Sequence, residues 1–269
     1  MFLVNAFTKK LDKGNPAGVC LLHDYPDTSL MQSIANYYNW SEIAFVKKNV
    51  SDDSFTIRWF SPLDEAKICG HATLASSYVI FNKHLNKSST IKFKSKSGIL
   101  LATLMEDDSI ALTFPLIKVK VCYEIPFNIK EIFGTSDYSQ VLTDGTIYIV
   151  VLNNYEDVFN TIPNYDLIKK VKARAIAVTA KYNNTYDFCS RYFAPSVGIY
   201  EDPVCGSLHC RLAWYWSNIL NKKELLAYQA SKRSGILKLK AEKNKVKIIG
   251  DAVITDVIND PKIDCYGLI

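Results

Sequence analysis

Two short stretches hold the residues best suited to chemistry. Cys69-Gly70-His71 and Cys205-Gly206-Ser207 each place a thiol, a glycine and a polar side chain at the head of an apolar segment of helix length. A helix start offers unpaired backbone N–H groups and the positive end of the helix dipole, which together seat a carboxylate. Glycine at 70 and 206 lets a ligand approach that backbone, and His71 and Ser207 can donate hydrogen bonds to the same anion. The plainer alternative is a glycine that only eases the turn from strand to helix. The same dipole lowers a thiol pKa. Cys69 and Cys205 are therefore candidates for an opposed base and acid, one taking a proton from a carbon and the other returning one. As small residues they also suit close packing.

Two carboxylates join them. Glu42 opens the apolar run Ile43-Ala44-Phe45-Val46. A carboxylate drawn into such surroundings is desolvated, and its pKa rises toward that of a general acid/base. Read alone, the same glutamate is a solvated charge at a strand entrance. Asp202 precedes Pro203, which favours extended chain there. Asp202 either orients a substrate amine or hydroxyl or caps the turn. Cys205, His209 and Cys210 fit no tetrahedral metal spacing and lack a second ligand pair. The sequence holds no Gly-rich dinucleotide loop, phosphate loop or Ser-His-Asp set, so neither cofactor nor metal is expected. His23 and His84 have no constellation around them and are expected at the surface.

The elements that must position these groups occur twice. Arg58-Trp59-Phe60-Ser61-Pro62 leads into the first glycine motif and Arg191-Tyr192-Phe193-Ala194-Pro195 into the second. A Ser-Gly-Ile-Leu turn and strand follows each, at Ser97 and at Ser234. Arg58 recurs 133 residues later as Arg191, Cys69 recurs 136 later as Cys205, and Gly98 recurs 137 later as Gly235. Three ordered landmarks at nearly constant offset indicate two halves of like topology, 1–115 and 116–253, each built on one central helix, 69–81 and 205–220. The first of them is apolar on most faces, as buried helices are. Around them, alternating or continuous apolar runs predict strands at 2–7, 19–22, 41–46, 55–60, 91–93, 99–104 and 110–114. In the second half they predict strands at 147–152, 175–179, 188–193, 225–229, 236–240 and 246–250. Residues 14–18, Gly-Asn-Pro-Ala-Gly, read as a turn or loop. Asp27 or Thr28 starts a helix through Leu30, Ile34 and Tyr38, and 165–171 suggests another. Strands greatly outnumber helices, so the class is α+β.

Composition narrows the function classes. The chain has 269 residues, 48% of them apolar and 22% charged, an ordinary globular balance. The net charge of +5 is spread over isolated lysines. Those at 238, 240, 245 and 247 alternate with apolar residues, the pattern of a solvated strand face rather than of a nucleic-acid patch. Seven cysteines without paired spacing fit reduced thiols and a cytoplasmic setting. No signal peptide and no membrane span is expected.

Taken together, these motifs resemble the PhzF-like (phenazine biosynthesis protein F) isomerases over almost the whole chain. The matching pieces are Asn5-Ala-Phe-Thr8, Gly14-Asn-Pro-Ala-Gly18, Ser41-Glu42-Ile-Ala-Phe-Val46, Arg58-Trp-Phe-Ser-Pro62, Cys69-Gly-His-Ala-Thr73 and Glu201-Asp-Pro-Val-Cys-Gly-Ser207. The wider superfamily includes diaminopimelate epimerase and proline racemase. The resemblance implies two pseudo-symmetric β-barrel-like halves, each wrapped around a central helix, with the site in the cleft between them. It implies that 254–269, with a strand near 254–258, completes the first half. It also implies a homodimer and a cofactor-independent isomerase that moves a proton within a small carboxylate or amino-acid-like substrate. Glu42 would be the general acid/base, and Gly70, His71, Asp202, Gly206 and Ser207 would hold the substrate. The family usually carries threonine where this chain has Cys205, while the epimerase relatives carry cysteine at both helix starts. A racemase or epimerase using Cys69 and Cys205 is thus one alternative, and a non-catalytic small-carboxylate binding protein is another.

Overall fold

Some strands alternate buried and open side chains and others are buried on both faces, and the computed structural model describes them over residues 1–182 and 185–259. Residues 183–184 and 260–269 lie outside the description, the latter being part of the segment expected to complete the first half. The chain divides into two units: Met1–Phe114 together with the chain from Ile249, and Pro115–Ile248.

The first unit contains β1 (Phe2–Ala6), β2 (Asn15–Leu22), α1 (Thr28–Tyr38), β3 (Glu42–Asn49), β4 (Ser54–Phe60), β5 (Glu65–Ala66), α2 (Gly70–Asn82), β6 (Thr90–Ser95), β7 (Gly98–Leu104) and β8 (Ile110–Pro115). In α1, Met31, Ile34 and Ala35 share one face and are buried against Phe45 and Phe60. The helix ends at Asn39, whose left-handed backbone (φ 51°) lets its amide reach the Ala35 carbonyl. β3 runs parallel to β2 and antiparallel to β4, and its residues Ile43 to Val46 are buried on both faces. The 14–18 stretch is a correction. Residues 15–18 form strand rather than loop, because Ala6 to Leu3 pair antiparallel with Asn15 to Gly18, and Ala17 and Gly18 pair with Glu42 and Ile43. Pro16, which donates no ladder hydrogen bond, sits at the strand's start.

α2 is buried on nearly every side and packs against β1, β2, β3 and β7. Its polar residues fit there because they bond their own helix. Thr73 Oγ1 donates to the Cys69 carbonyl, and Ser76 and Ser77 donate to Ala72 and Thr73 at 2.7 Å each. Small hydroxyl residues thus let strands close around a helix without leaving an unpaired polar atom on it.

The second unit contains β9 (Lys120–Val121), α3 (Ile129–Phe133), β10 (Tyr138–Thr143), β11 (Ile147–Leu152), α4 (Tyr155–Asn160), α5 (Tyr165–Lys170), β12 (Ala175–Lys181), β13 (Phe188–Phe193), α6 (Gly206–Ile219), β14 (Glu224–Gln229), β15 (Gly235–Ala241) and β16 (Lys245–Gly250), the last two residues of which fall in the first unit. α6 is its central helix. Trp216 Nε1 donates to Thr179 of β12 at 3.1 Å, and Gln140 of β10 donates to the Tyr215 hydroxyl at 2.9 Å. Phe188 of β13 stacks on Trp216 with centroids 5.6 Å apart. Arg211 binds Asp144 in the turn after β10, with both side chains 10% exposed. The short helices α3, α4 and α5 share a separate core with β10, β11 and β12, built from Ile132, Phe133, Val150, Val158, Ile168 and Ile176. Lys238 and Lys240 of β15 face solvent while Leu237 and Leu239 are buried, the solvated face expected from the alternation.

The last described strand, β17 (Ala252–Val257), belongs to the first unit. It pairs antiparallel with β1, Phe2 opposite Val257 and Ala6 opposite Ala252, so β1 lies between β2 and β17. β17 also packs on α2. Among the described residues no helix is long and apolar enough to cross a membrane.

Candidate active site

In each unit the strand before the central helix carries an arginine that locks the approach to the helix head. Side chains two apart on a strand share a face, so Arg58 lies over Phe60 and Arg191 over Phe193, each guanidinium 5.1 Å from the ring centre. Each arginine then grips a glutamate just upstream of the helix. Arg58 donates to both oxygens of Glu65 at 2.8 Å, and Arg191 donates to those of Glu201 at 2.7 and 3.0 Å. Both are two-pronged, charge-assisted pairs. Hydrogen bonding to Arg58 outweighs the cost of burial and holds the Glu65 carboxyl down at about 2.

At the head of α2, Cys69 is the extended cap residue and Gly70 the first helical residue. His71 follows, buried, with its Nε2 3.2 Å from Oε2 of Glu42 and its Nδ1 3.5 Å from Cys69 Sγ. Glu42 reaches this point as the first residue of β3, where its side chain is 14% exposed, open enough to meet a ligand. Cys69, Glu42 and His71 place one donor atom each within 4.8 Å of one another. Burial pushes the Cys69 thiol up, and the Glu42 carboxylate adds to that rise. Burial works against a charged His71 ring, but the Cys69 sulfur and the Glu42 carboxylate outweigh it and raise the imidazole well above its ordinary range. The sequence set Glu42 among apolar neighbours, and those neighbours are indeed buried. Its carboxylate turns instead to an imidazole that comes from 29 residues further along the chain. Only the family resemblance had put both in one site, since nothing local joins the start of a strand to the first turn of a helix.

At the head of α6 the pattern recurs with a hydroxyl in place of the imidazole. Cys205 is the extended cap, Gly206 is the first helical residue, and Ser207 Oγ lies 3.3 Å from Cys205 Sγ. Gln229 of β14 fixes this corner: its Oε1 accepts from the Cys205 amide at 2.8 Å and its Nε2 donates to the Asp202 carbonyl at 2.7 Å. Asp202 Oδ1 accepts from the Val204 amide at 3.2 Å, as a residue capping this turn does. Burial, reinforced by the Asp202 carboxylate, pushes the Cys205 thiol well up. Gln229 is a site-shaping residue that sequence reasoning missed, because a lone glutamine at a strand end carries no motif. His209, set aside as a metal ligand, spends its Nδ1 on the Cys205 carbonyl at 2.8 Å and stacks on Phe188. His23 and His84 are exposed, as expected.

An α+β unit of strands around a central helix with a Cys-Gly-polar head defines the class: the diaminopimelate epimerase-like fold. A predicted epimerase from Pseudomonas aeruginosa shares that fold, with a TM-score of 0.72 at 15% identity over 94% of this chain and 95% of that one. The family is narrower. The model for phenazine biosynthesis-like proteins matches residues 4–256, and the chain belongs to that PhzF family. It is 40% identical over 255 residues, 94% of this chain and 95% of the other, to a Halalkalibacterium halodurans protein named an uncharacterized isomerase. A crystal structure of a PhzF family protein from Enterococcus faecalis superposes with a TM-score of 0.89 at 36% identity, covering 95% of this chain and 96% of that one.

Proposed function

We propose that the protein is a cofactor-independent isomerase that moves a proton within a small carboxylate or amino-acid-like substrate, with Glu42 as the general acid/base. The observation that carries this reading is the Glu42–His71 contact at the head of α2, where a partly open carboxylate meets a buried imidazole. Glu42 takes the proton from the substrate carbon and redelivers it, and His71 steadies the carboxylate between the two steps. The amides of Gly70 and Gly206 and the side chains of His71, Asp202 and Ser207 hold the substrate's polar groups. A doubled ancestral unit, a homodimer and a cytoplasmic setting complete the reading. The isomerase names of the relatives support it.

The alternative with Cys69 and Cys205 as opposed acid and base draws on their matching cap positions. It draws less support from their chemistry, since burial raises both thiols and depletes the thiolate that a basic sulfur needs. The test is a panel of small amino and hydroxy acids incubated with the protein in deuterium oxide. Exchange at one carbon should fall by about 10²–10⁴-fold in Glu42→Gln, the usual worth of a positioned acid/base. Undiminished exchange in that variant overturns the proposal.

A further inference from the structure

We propose that Cys69 is the positioning residue of the acid/base pair: its sulfur holds Nδ1 of His71 and so keeps the N–H at Nε2 aimed at Glu42. The His71 ring carries its two nitrogens on different edges, and each meets a different group. Nε2 lies 3.2 Å from Oε2 of Glu42. Nδ1 lies 3.5 Å from Cys69 Sγ, which is 4.0 Å from Nε2. A carboxylate only accepts, so Glu42 needs a hydrogen on Nε2. A neutral imidazole carries one N–H, and the partner of its other nitrogen decides which nitrogen has it. A thiol suits that second place because it both donates and accepts. Against a neutral ring the Cys69 S–H donates to Nδ1, which puts the one ring hydrogen on Nε2. Against a protonated ring the sulfur accepts from Nδ1–H, and Nε2–H stays where it was. The bond to Glu42 therefore survives both charge states of His71.

Burial makes this partner necessary. His71 lies inside the first unit, and a buried ring nitrogen without a partner is costly. Among the described residues no group other than Cys69 hydrogen-bonds Nδ1. Half a turn about the Cβ–Cγ bond would exchange Nε2 with Cε1 and set a C–H against Glu42. The sulfur holds the ring against that turn. The thiol keeps its proton for this task, since burial, and then the Glu42 carboxylate, push it up. Cys69 is the extended cap of α2 and His71 stands in the first turn, so the two are held by one rigid corner. The same link recurs at α6, where Cys205 Sγ lies 3.3 Å from Ser207 Oγ. There the partner is a hydroxyl, which has no tautomer to set. That Cys69 assists proton transfer rests on the reading of Glu42 above, whereas its hold on the His71 ring does not.

The test is nitrogen-15 NMR of the histidine rings in the wild type, Cys69→Ser, Cys69→Ala and Cys69→Val, with His71→Gln assigning the His71 signals. At neutral pH the expected result is a protonated Nε2 in the wild type and in Cys69→Ser. In Cys69→Ala and Cys69→Val the hydrogen should divide between the two nitrogens. Deuterium exchange into a substrate from the acid panel should fall by up to about 10²-fold at saturating substrate in Cys69→Ala, the scale of a misplaced group. KM should change little, and Cys69→Ser should restore the rate. Circular dichroism checks that each variant is folded. Unchanged His71 signals in folded Cys69→Ala or Cys69→Val, or a Cys69→Ser ring that behaves as Cys69→Ala does, overturns the proposal. So does a wild-type ring with its hydrogen on Nδ1 alone, a result that needs no variant. The ring signals do not depend on turnover. Signals that follow Cys69 while exchange survives Glu42→Gln would uphold this link and remove the acid/base reading, and the opposite pair of results would remove this link alone.

Discussion

At the scale of single residues, burial decides what each titratable group can do. His209 lies wholly inside the second unit, and its Nε2 has no hydrogen-bond partner among the described residues. Burial pushes its pKa down to about 4, with the bond to the Cys205 carbonyl opposing only part of that fall. In the unfolded chain a histidine titrates near 6.5. Protons therefore bind the unfolded state first, and stability falls as pH drops from about 6.5 toward 4. The full loss is about 3 kcal/mol. We expect thermal unfolding of the wild-type protein to move to lower temperature across that window, and the slope to flatten in His209→Leu. An identical acid slope in both proteins would show that His209 is not responsible. His71 differs because its ring has a carboxylate beside it, a contact that no local pattern in the sequence shows. The motif named His71, the strand pattern named Glu42 and the resemblance put both in one site, but only the fold brings them into contact.

At the scale of elements, the central helices and most strands were legible because their burial is periodic or complete. The Arg-aromatic-Phe spacing was readable as a repeat, and its physical basis is one strand face carrying guanidinium over ring. Three kinds of element escaped. α3 and α4 span five and six residues, so little of a helical period registers, and neither is read from the sequence although the equally short α5 is. β10 buries Val141, Leu142 and Thr143 in succession without alternation. Residues 15–18 look like a turn by composition yet are held as strand by β1, and residues 17–18 by β3 as well. Tight packing around α2 also left no local signal. A Cβ on Gly250 would lie 2.5 Å from Cδ1 of Phe7 and 3.3 Å from Leu74 of α2. Phe7 is 1% exposed and holds a left-handed backbone (φ 65°), so it has little room to give. Gly250→Ala should cost about 1–3 kcal/mol, the usual penalty of overpacking, read as a lower urea midpoint at unchanged m-value. An unchanged midpoint would mean that the Phe7 ring moves aside freely.

At the scale of the whole chain, one feature came only through family resemblance: a strand from the far end of the sequence that joins the first unit. No local pattern marks 252–257 as a partner of 2–6, because register across 250 residues is set by the fold and not by neighbours in sequence. β17 supplies one of the two ladders of β1 and part of the packing around α2. A chain ending at Asp251 should therefore lose hydrogen-exchange protection in Phe2–Ala6 and in α2, while β12 and β13 keep theirs. Full protection of Phe2–Ala6 in that truncated chain would contradict this account of the first unit.

The central claim is that the Glu42 carboxylate performs the proton transfer. It is tested most directly by following washout of a carbon-bound deuterium from a substrate found in the acid panel, in the wild type, in Glu42→Gln and in the double variant Cys69→Ser/Cys205→Ser. The account predicts that washout stops with Glu42→Gln and persists, if slowed, in the double-cysteine variant. Washout that survives Glu42→Gln and vanishes with the two thiols would contradict it.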